Sequence, residues 1–133
     1  MDPQQEFFTA VRAACMGACE NVHDSFLPPP TAAYPFVYIR GASQDDTRNK
    51  SCITGSVQIN LDVWHNKPRR RGIVSEIMRK IKLACYAIEH TSNYNWSVRS
   101  ISAQGPLADN SPGNVVPLVR GMITINADFT PKG

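Results

Sequence analysis

Long apolar runs are missing from this chain. The longest nearly apolar stretch, Ala13 to Cys19, falls far short of the roughly 20 residues that a membrane-spanning helix needs, so no membrane contact is expected. The start, Met1-Asp2-Pro3-Gln4-Gln5-Glu6, is acidic and polar, unlike a signal or transit peptide, and points to synthesis in a cytoplasm. Charge is scarce as well. Charged side chains make up 19% of the chain and leave a net +3, too mild for a domain that grips nucleic acid through a concentrated basic face. Cys15, Cys19, Cys52 and Cys85 lack the paired, loop-borne spacing of a zinc site and read as small buried hydrophobes.

Catalytic motifs are missing too. There is no phosphate-cradling glycine loop, nucleophile elbow, HExxH or calcium-loop pattern. His23-Asp24-Ser25 contains triad residue types, but contiguous side chains cannot converge as nucleophile, base and orienter. The paired carboxylates Asp45-Asp46 fall on a polar turn, where nothing would desolvate them. The expectation is a protein that is not an enzyme and has no catalytic, cofactor-binding or metal-binding residues.

What is there fits one domain over residues 1–133, because 42% hydrophobic residues suffice for an independent core at this length. From Gln4 to Val22, the residues Phe8, Val11, Cys15, Ala18 and Val22 recur at helical spacing, and Asp2 and Pro3 suit the start. Residues 22–26 read as a short extended piece before Pro28-Pro29-Pro30. Phe36 to Ala42 reads as a strand, and Ser43 to Lys50 as a charged turn with Asp45-Asp46 at its tip. Ser51 to His65 is a strand with Val57, Ile59, Leu61 and Val63 on one face and Gln58, Asn60 and Asp62 on the other.

A second helix follows from Pro68 to about His90, with Val74, Ile77, Met78, Ile81, Cys85 and Ile88 as its apolar stripe. Strands at Asn95 to Gln104 and Val116 to Phe129 flank a loop from Gly105 to Asn114. The predicted architecture is α+β, in the order α-β-β-α-β-β. It is a mainly antiparallel four-stranded sheet with two helices on one face.

Two features suggest contacts. Arg69-Arg70-Arg71 stand beside a helix start, where the macrodipole disfavours cations by about a few tenths of a kcal/mol each. They read as a solvated basic turn, as the partner of an acidic stretch such as Asp45-Asp46 on a neighbouring subunit, or as a contact for nucleic acid. Trp64 points by alternation with the polar residues, as an interface anchor, unless a bulge turns it inward.

The order of these motifs resembles the tail-completion proteins of long-tailed bacteriophages, also called tail terminators or tail-to-head joining proteins. The likeness runs from about residue 4 to 129. It is carried by the opening helix, the proline spacer, Tyr34-Pro35-Phe36-Val37-Tyr38-Ile39, Lys50-Ser51, Leu61-Asp62-Val63-Trp64-His65-Asn66 and Arg69-Arg70-Arg71-Gly72. Ile39-Arg40-Gly41 and the cysteine content of the first helix depart from the pattern.

The resemblance implies a structural virion protein at the head–tail junction, forming a homo-oligomeric ring, commonly a hexamer. Such a ring caps the tail tube protein, ends tube polymerisation and meets the head connector protein. Asp45, Asp46, Trp64, Arg69, Arg70 and Arg71 then become candidate interface residues. Gln58, Asn60 and Asp62 become a candidate seam or channel face, past which genomic DNA slides without specific binding. A head-side connector, a minor tail component and a nucleic-acid-binding module are the alternatives.

Overall fold

The computed structural model describes residues 2–24, 33–48, 53–109 and 118–132. Its elements are α1 (Pro3–Ala18), β1 (Val22–His23), β2 (Phe36–Arg48), β3 (Ile53–His65), a 3-10 turn (Pro68–Arg70), α2 (Arg71–Tyr86), β4 (Tyr94–Asp109) and β5 (Leu118–Pro131). The strands form one five-stranded sheet in the order β1-β2-β3-β5-β4. This corrects the expected four-stranded antiparallel sheet. The order is α-β-β-β-α-β-β, and the sheet is mixed, because β1 runs parallel to β2 through Val22↔Val37 and His23↔Tyr38. The expected extended piece at residues 22–26 contains this strand, but two residues are too few to show a period, so only the pairing places it in the sheet.

The alternating strands place their apolar residues against the helices. Val57, Ile59, Leu61 and Val63 of β3 are buried, as are Ile123, Ile125, Ala127 and Phe129 of β5. Helix α1 lies against β2 and β3, α2 lies against β3, β4 and β5, and the two helices touch each other. Val74, Ile77, Met78, Ile81 and Cys85 form the buried stripe of α2. The stripe of α1 is turned relative to expectation. Phe7 is fully buried with Val11 and Cys15, while Phe8 only packs against the rim of the core. The helix also ends sooner, at Ala18, because the chain must straighten for Val22 to reach β2, where Val37 N–H donates to the Asn21 carbonyl.

Two expected loops are strand instead. Ser43 to Arg48 continues β2 opposite β3, with Asp45↔Ser56 and Asp46↔Gly55, so these carboxylates are not the tip of a turn. Gly105 to Asp109 continues β4 beyond a bulge between Gln104 and Leu107. Gly105 has φ +92°, and a Cβ there would press on the Arg120 carbonyl, so a side chain is excluded on both counts. The three prolines, Lys50-Ser51, Cys52, residues 110–114 and Val116 lie outside the described residues.

Cys15, Cys19 and Cys85 are free and buried between the helices and the sheet. Burial pushes the Cys85 thiol up to about 12 and raises Cys15 and Cys19 as well; Cys15 and Cys85 behave as apolar packing atoms, while Cys19 Sγ donates towards the Asn21 and Pro35 carbonyls.

A buried acid pins α1 to the sheet. Glu6 accepts from Asn93 N–H at 3.0 Å and from Asn93 Nδ2 at 2.7 Å, just before β4. Burial works against its charge, but hydrogen bonds from Thr91 and Asn93 outweigh that and hold its pKa below the ordinary carboxylate value. Glu6→Gln is expected to cost about 1.5–3 kcal/mol at neutral pH, the range for a hydrogen bond to a charged group. Because the folded pKa is the lower one, the stabilisation is complete above the unfolded value near 4.5 and fades as pH falls through the folded value. Urea midpoints of both proteins, compared from pH 7 down to about 3, should converge in acid. A gap that does not change with pH would show that the charge contributes nothing.

Candidate interaction surfaces

Neither helix covers the second face of the sheet. Cross-strand partners share a face, so the register reads this surface row by row. Phe36, Trp64, Arg120 and Leu107 form the row at one end. Next come Tyr38, Asp62, Met122 and Gln104, then Gly41, Asn60, Thr124 and Ser102. Further along lie Ser43, Gln58, Asn126 and Ser100, and then Asp45, Ser56, Asp128 and Ser97.

The middle of this face is a ladder of small polar side chains. Gln58 Nε2 donates to Asn126 Oδ1 at 3.0 Å, and Asn126 Nδ2 donates to Ser100 Oγ at 3.1 Å. Thr124 Oγ1 donates to Asn60 Oδ1 at 2.8 Å. Gln58 and Asn60 are therefore held by their neighbours and present amides and hydroxyls, with no cation among them.

Asp62 is different. Its side chain is only 2% exposed, and its Oδ2 receives both Arg40 Nε and Arg120 Nη2 at 2.9 Å. Arg40 reaches it because a bulge between Ile39 and Gly41 inserts an extra residue into β2. The sequence marks Arg40 as a departure from the family pattern, but nothing in it pairs Arg40 or Arg120 with Asp62. A lone aspartate at an alternating polar position, with its cations on the two neighbouring strands, carries no local signal for this triad.

Trp64 stays on the same face, since β3 pairs without interruption from Gly55 to His65 across β5. No bulge turns it inward. The Arg120 guanidinium lies 4.9 Å from the centre of its ring, within range of a cation–π contact. On its other side Phe36 is buried without joining the helix-side core, with the His23 and Tyr34 rings 5.5 and 5.1 Å away.

The basic segment lies just past this end of β3. Arg69 and Arg70 are exposed, and with Asn66 and Lys67 they line a shallow depression. Arg71 turns back, its Nη2 donating to the Pro106 carbonyl at 3.0 Å, next to the bulge that Gly105 makes possible. Helix α2 begins with no side-chain cap and no acidic residue in its first turn, so nothing in that turn offsets the cations. Behind them, burial lowers the pKa of His65 and the charges of Lys67 and Arg70 lower it further, outweighing the hydrogen bond with Asn66 that raises it.

Asp45 and Asp46 sit at the opposite end. In a strand, successive side chains point to opposite faces, so Asp45 joins the helix-free surface while Asp46 faces the N-terminus of α1. There Gln44 Nε2 donates to Asp46 Oδ1 at 2.6 Å, and both line a cleft with Asp2, Asn93 and Lys132. From the Ser56 row to the Trp64 row is about 26 Å, at about 3.3 Å per residue. The acidic and basic stretches therefore do not meet within one subunit.

Among the described residues, no group of three or more His, Cys, Asp or Glu side chains is placed to hold a metal ion. No described helix is long and apolar enough to cross a membrane.

No family model and no curated protein matches the chain. Its fold is similar to that of a chain in the solved structure titled "Virion of native gene transfer agent (GTA) particle". The TM-score is 0.60 at 14% sequence identity, and the match covers 98% of this chain and 95% of that one.

Proposed function

We propose that this protein is a structural subunit of a phage-type virion that closes the tail tube as one wedge of a ring at the joint between tail and head. The observation that carries this reading is the fold likeness to a virion chain, which takes in nearly the whole of both chains. The order of motifs along the sequence resembles that of tail-completion proteins, which supplies the finer part of the reading. On this reading the protein works by shape, as one wedge of a closed collar.

A ring requires heterologous contacts, in which one patch meets a different patch on the next copy. Separation of charge along the sheet supports such a scheme. The basic turn with Arg69 and Arg70 and the strand end with Asp45 lie far apart on one subunit, so each is free to meet its opposite on a neighbour. The ladder of Gln58, Asn60, Thr124 and Asn126 suits a wall past which DNA slides, since it offers hydrogen-bonding groups but few phosphate-binding cations.

Particles assembled without this protein should show tails of abnormal length that fail to join heads, scored by electron microscopy. Tails of normal length on particles that still fail to join would favour a head-side connector. Normal, infectious particles would end the virion reading.

A further inference from the structure

One end of the helix-free face carries more than the ring contact of Arg69 and Arg70 uses. Arg40 and Arg120 stand there against the single buried carboxylate of Asp62, and the turn with Lys67, Arg69 and Arg70 follows just past the same end of β3. Counted together, these five cations against Asp62 exceed the net +3 of the whole chain, so the basic character of the protein is concentrated towards this end. The terminal nitrogens of Arg40 have no partner among the described residues, and its side chain is 39% exposed. Two apolar groups stand among the charges: the half-buried Trp64 ring under Arg120, and Leu107, half exposed on the same row. Tryptophan and arginine at the centre of a patch, with charges on the rim, are the composition of a protein-binding hot spot.

We infer that this Trp64–Arg120–Arg40 patch docks an acidic peptide segment of a protein partner. Charge complementarity selects an anion, and the accessible apolar groups select the kind of anion. Arg40 is 39% exposed and Leu107 half exposed, and Trp64 and Leu107 share a row with Arg120. An acidic peptide brings carboxylates for the guanidiniums together with apolar side chains for Trp64 and Leu107. A phosphate backbone brings acceptors only and leaves the apolar groups uncovered. The inference rests on the proposed function only in expecting the partner to be another virion protein; the surface chemistry stands by itself.

The test uses the intact protein and a synthetic peptide of alternating Glu and Leu, with duplex DNA of equal charge as the competing probe. The chain has two tryptophans, and Trp96 is sealed in the core, so a fluorescence response reports Trp64. The expected result is a saturable change with peptide that vanishes in Trp64→Phe and weakens as salt rises. Arg40→Gln should reduce affinity about tenfold, because one charge-assisted contact is lost while Arg120 still holds Asp62. Arg69→Glu removes rim charge without touching the triad, so it should weaken binding with no change in Tm. Absence of any response, tighter binding of the duplex than of the peptide, or self-association that alone buries Trp64 would each overturn the inference. Those outcomes leave the tail phenotype of the deletion unaffected, and normal particles in that experiment would leave peptide binding standing.

Discussion

Replacing Arg40 and Arg120 together by alanine should lower the unfolding free energy by about 3 kcal/mol, far more than either replacement alone. With one arginine left, the buried Asp62 carboxylate keeps a charged partner at 2.9 Å. With neither, a carboxylate that is 2% exposed stands without a counter-charge, and breaking a buried pair in this way costs about 3–5 kcal/mol. The lower end applies because Arg40 and Arg120 are 39% and 29% exposed, so water already screens part of the attraction. Asp62→Leu is the informative companion. Its two guanidiniums can turn to solvent, so it should cost only about 1 kcal/mol. Denaturant midpoints of the four variants decide the matter, and a double variant no worse than the sum of the singles would mean that water reaches Asp62.

Phe129→Ala should be the most damaging single core replacement, at about 3–5 kcal/mol. Phe129 is 2% exposed and is shared by two aromatic neighbours, with the Trp96 and Tyr94 rings each 5.5 Å away. Trp96 in turn lies 4.5 Å from Phe7, so one cluster joins α1, β4 and β5. Trp96 Nε1 donates to Thr91 Oγ1 at 2.9 Å, which holds the indole in one orientation. Removing Phe129 leaves a cavity beside that ring, so loss of the near-ultraviolet circular dichroism of Trp96 should accompany the lower Tm. A drop of less than about 1 kcal/mol would mean that the neighbouring rings collapse into the space.

The parts of this architecture that were legible beforehand are those with a period. The stripe of α2 and the alternation of β3 and β5 run through their buried residues with few interruptions. The parts that were not legible lack a period or depend on residues far apart in sequence. Beyond Ala42, β2 carries Ser43, Gln44, Asp45 and Asp46, polar on both faces because the strand has run past the middle of the helix layer, and such a segment reads as a turn. In α1 the adjacent Phe7 and Phe8 offer two phases for the same stripe. Phe7 wins because Trp96, nearly ninety residues away, supplies its partner. Nothing near Glu6 in the sequence marks it as buried, because its partner Asn93 lies 87 residues away. The candidate surfaces divide in the same way. Trp64 and the arginine run stand out in sequence by residue type, whereas the Arg40–Asp62–Arg120 triad exists only through a bulge and two strand pairings.

The cleft at the acidic end has a practical consequence. Asp2 and Lys132 both line it, and Lys132 N–H is tied to the Asn93 carbonyl at 3.0 Å. A fluorescent label attached at either residue therefore stands at the end of the sheet farthest from Trp64 and leaves the arginine-rich rim undisturbed.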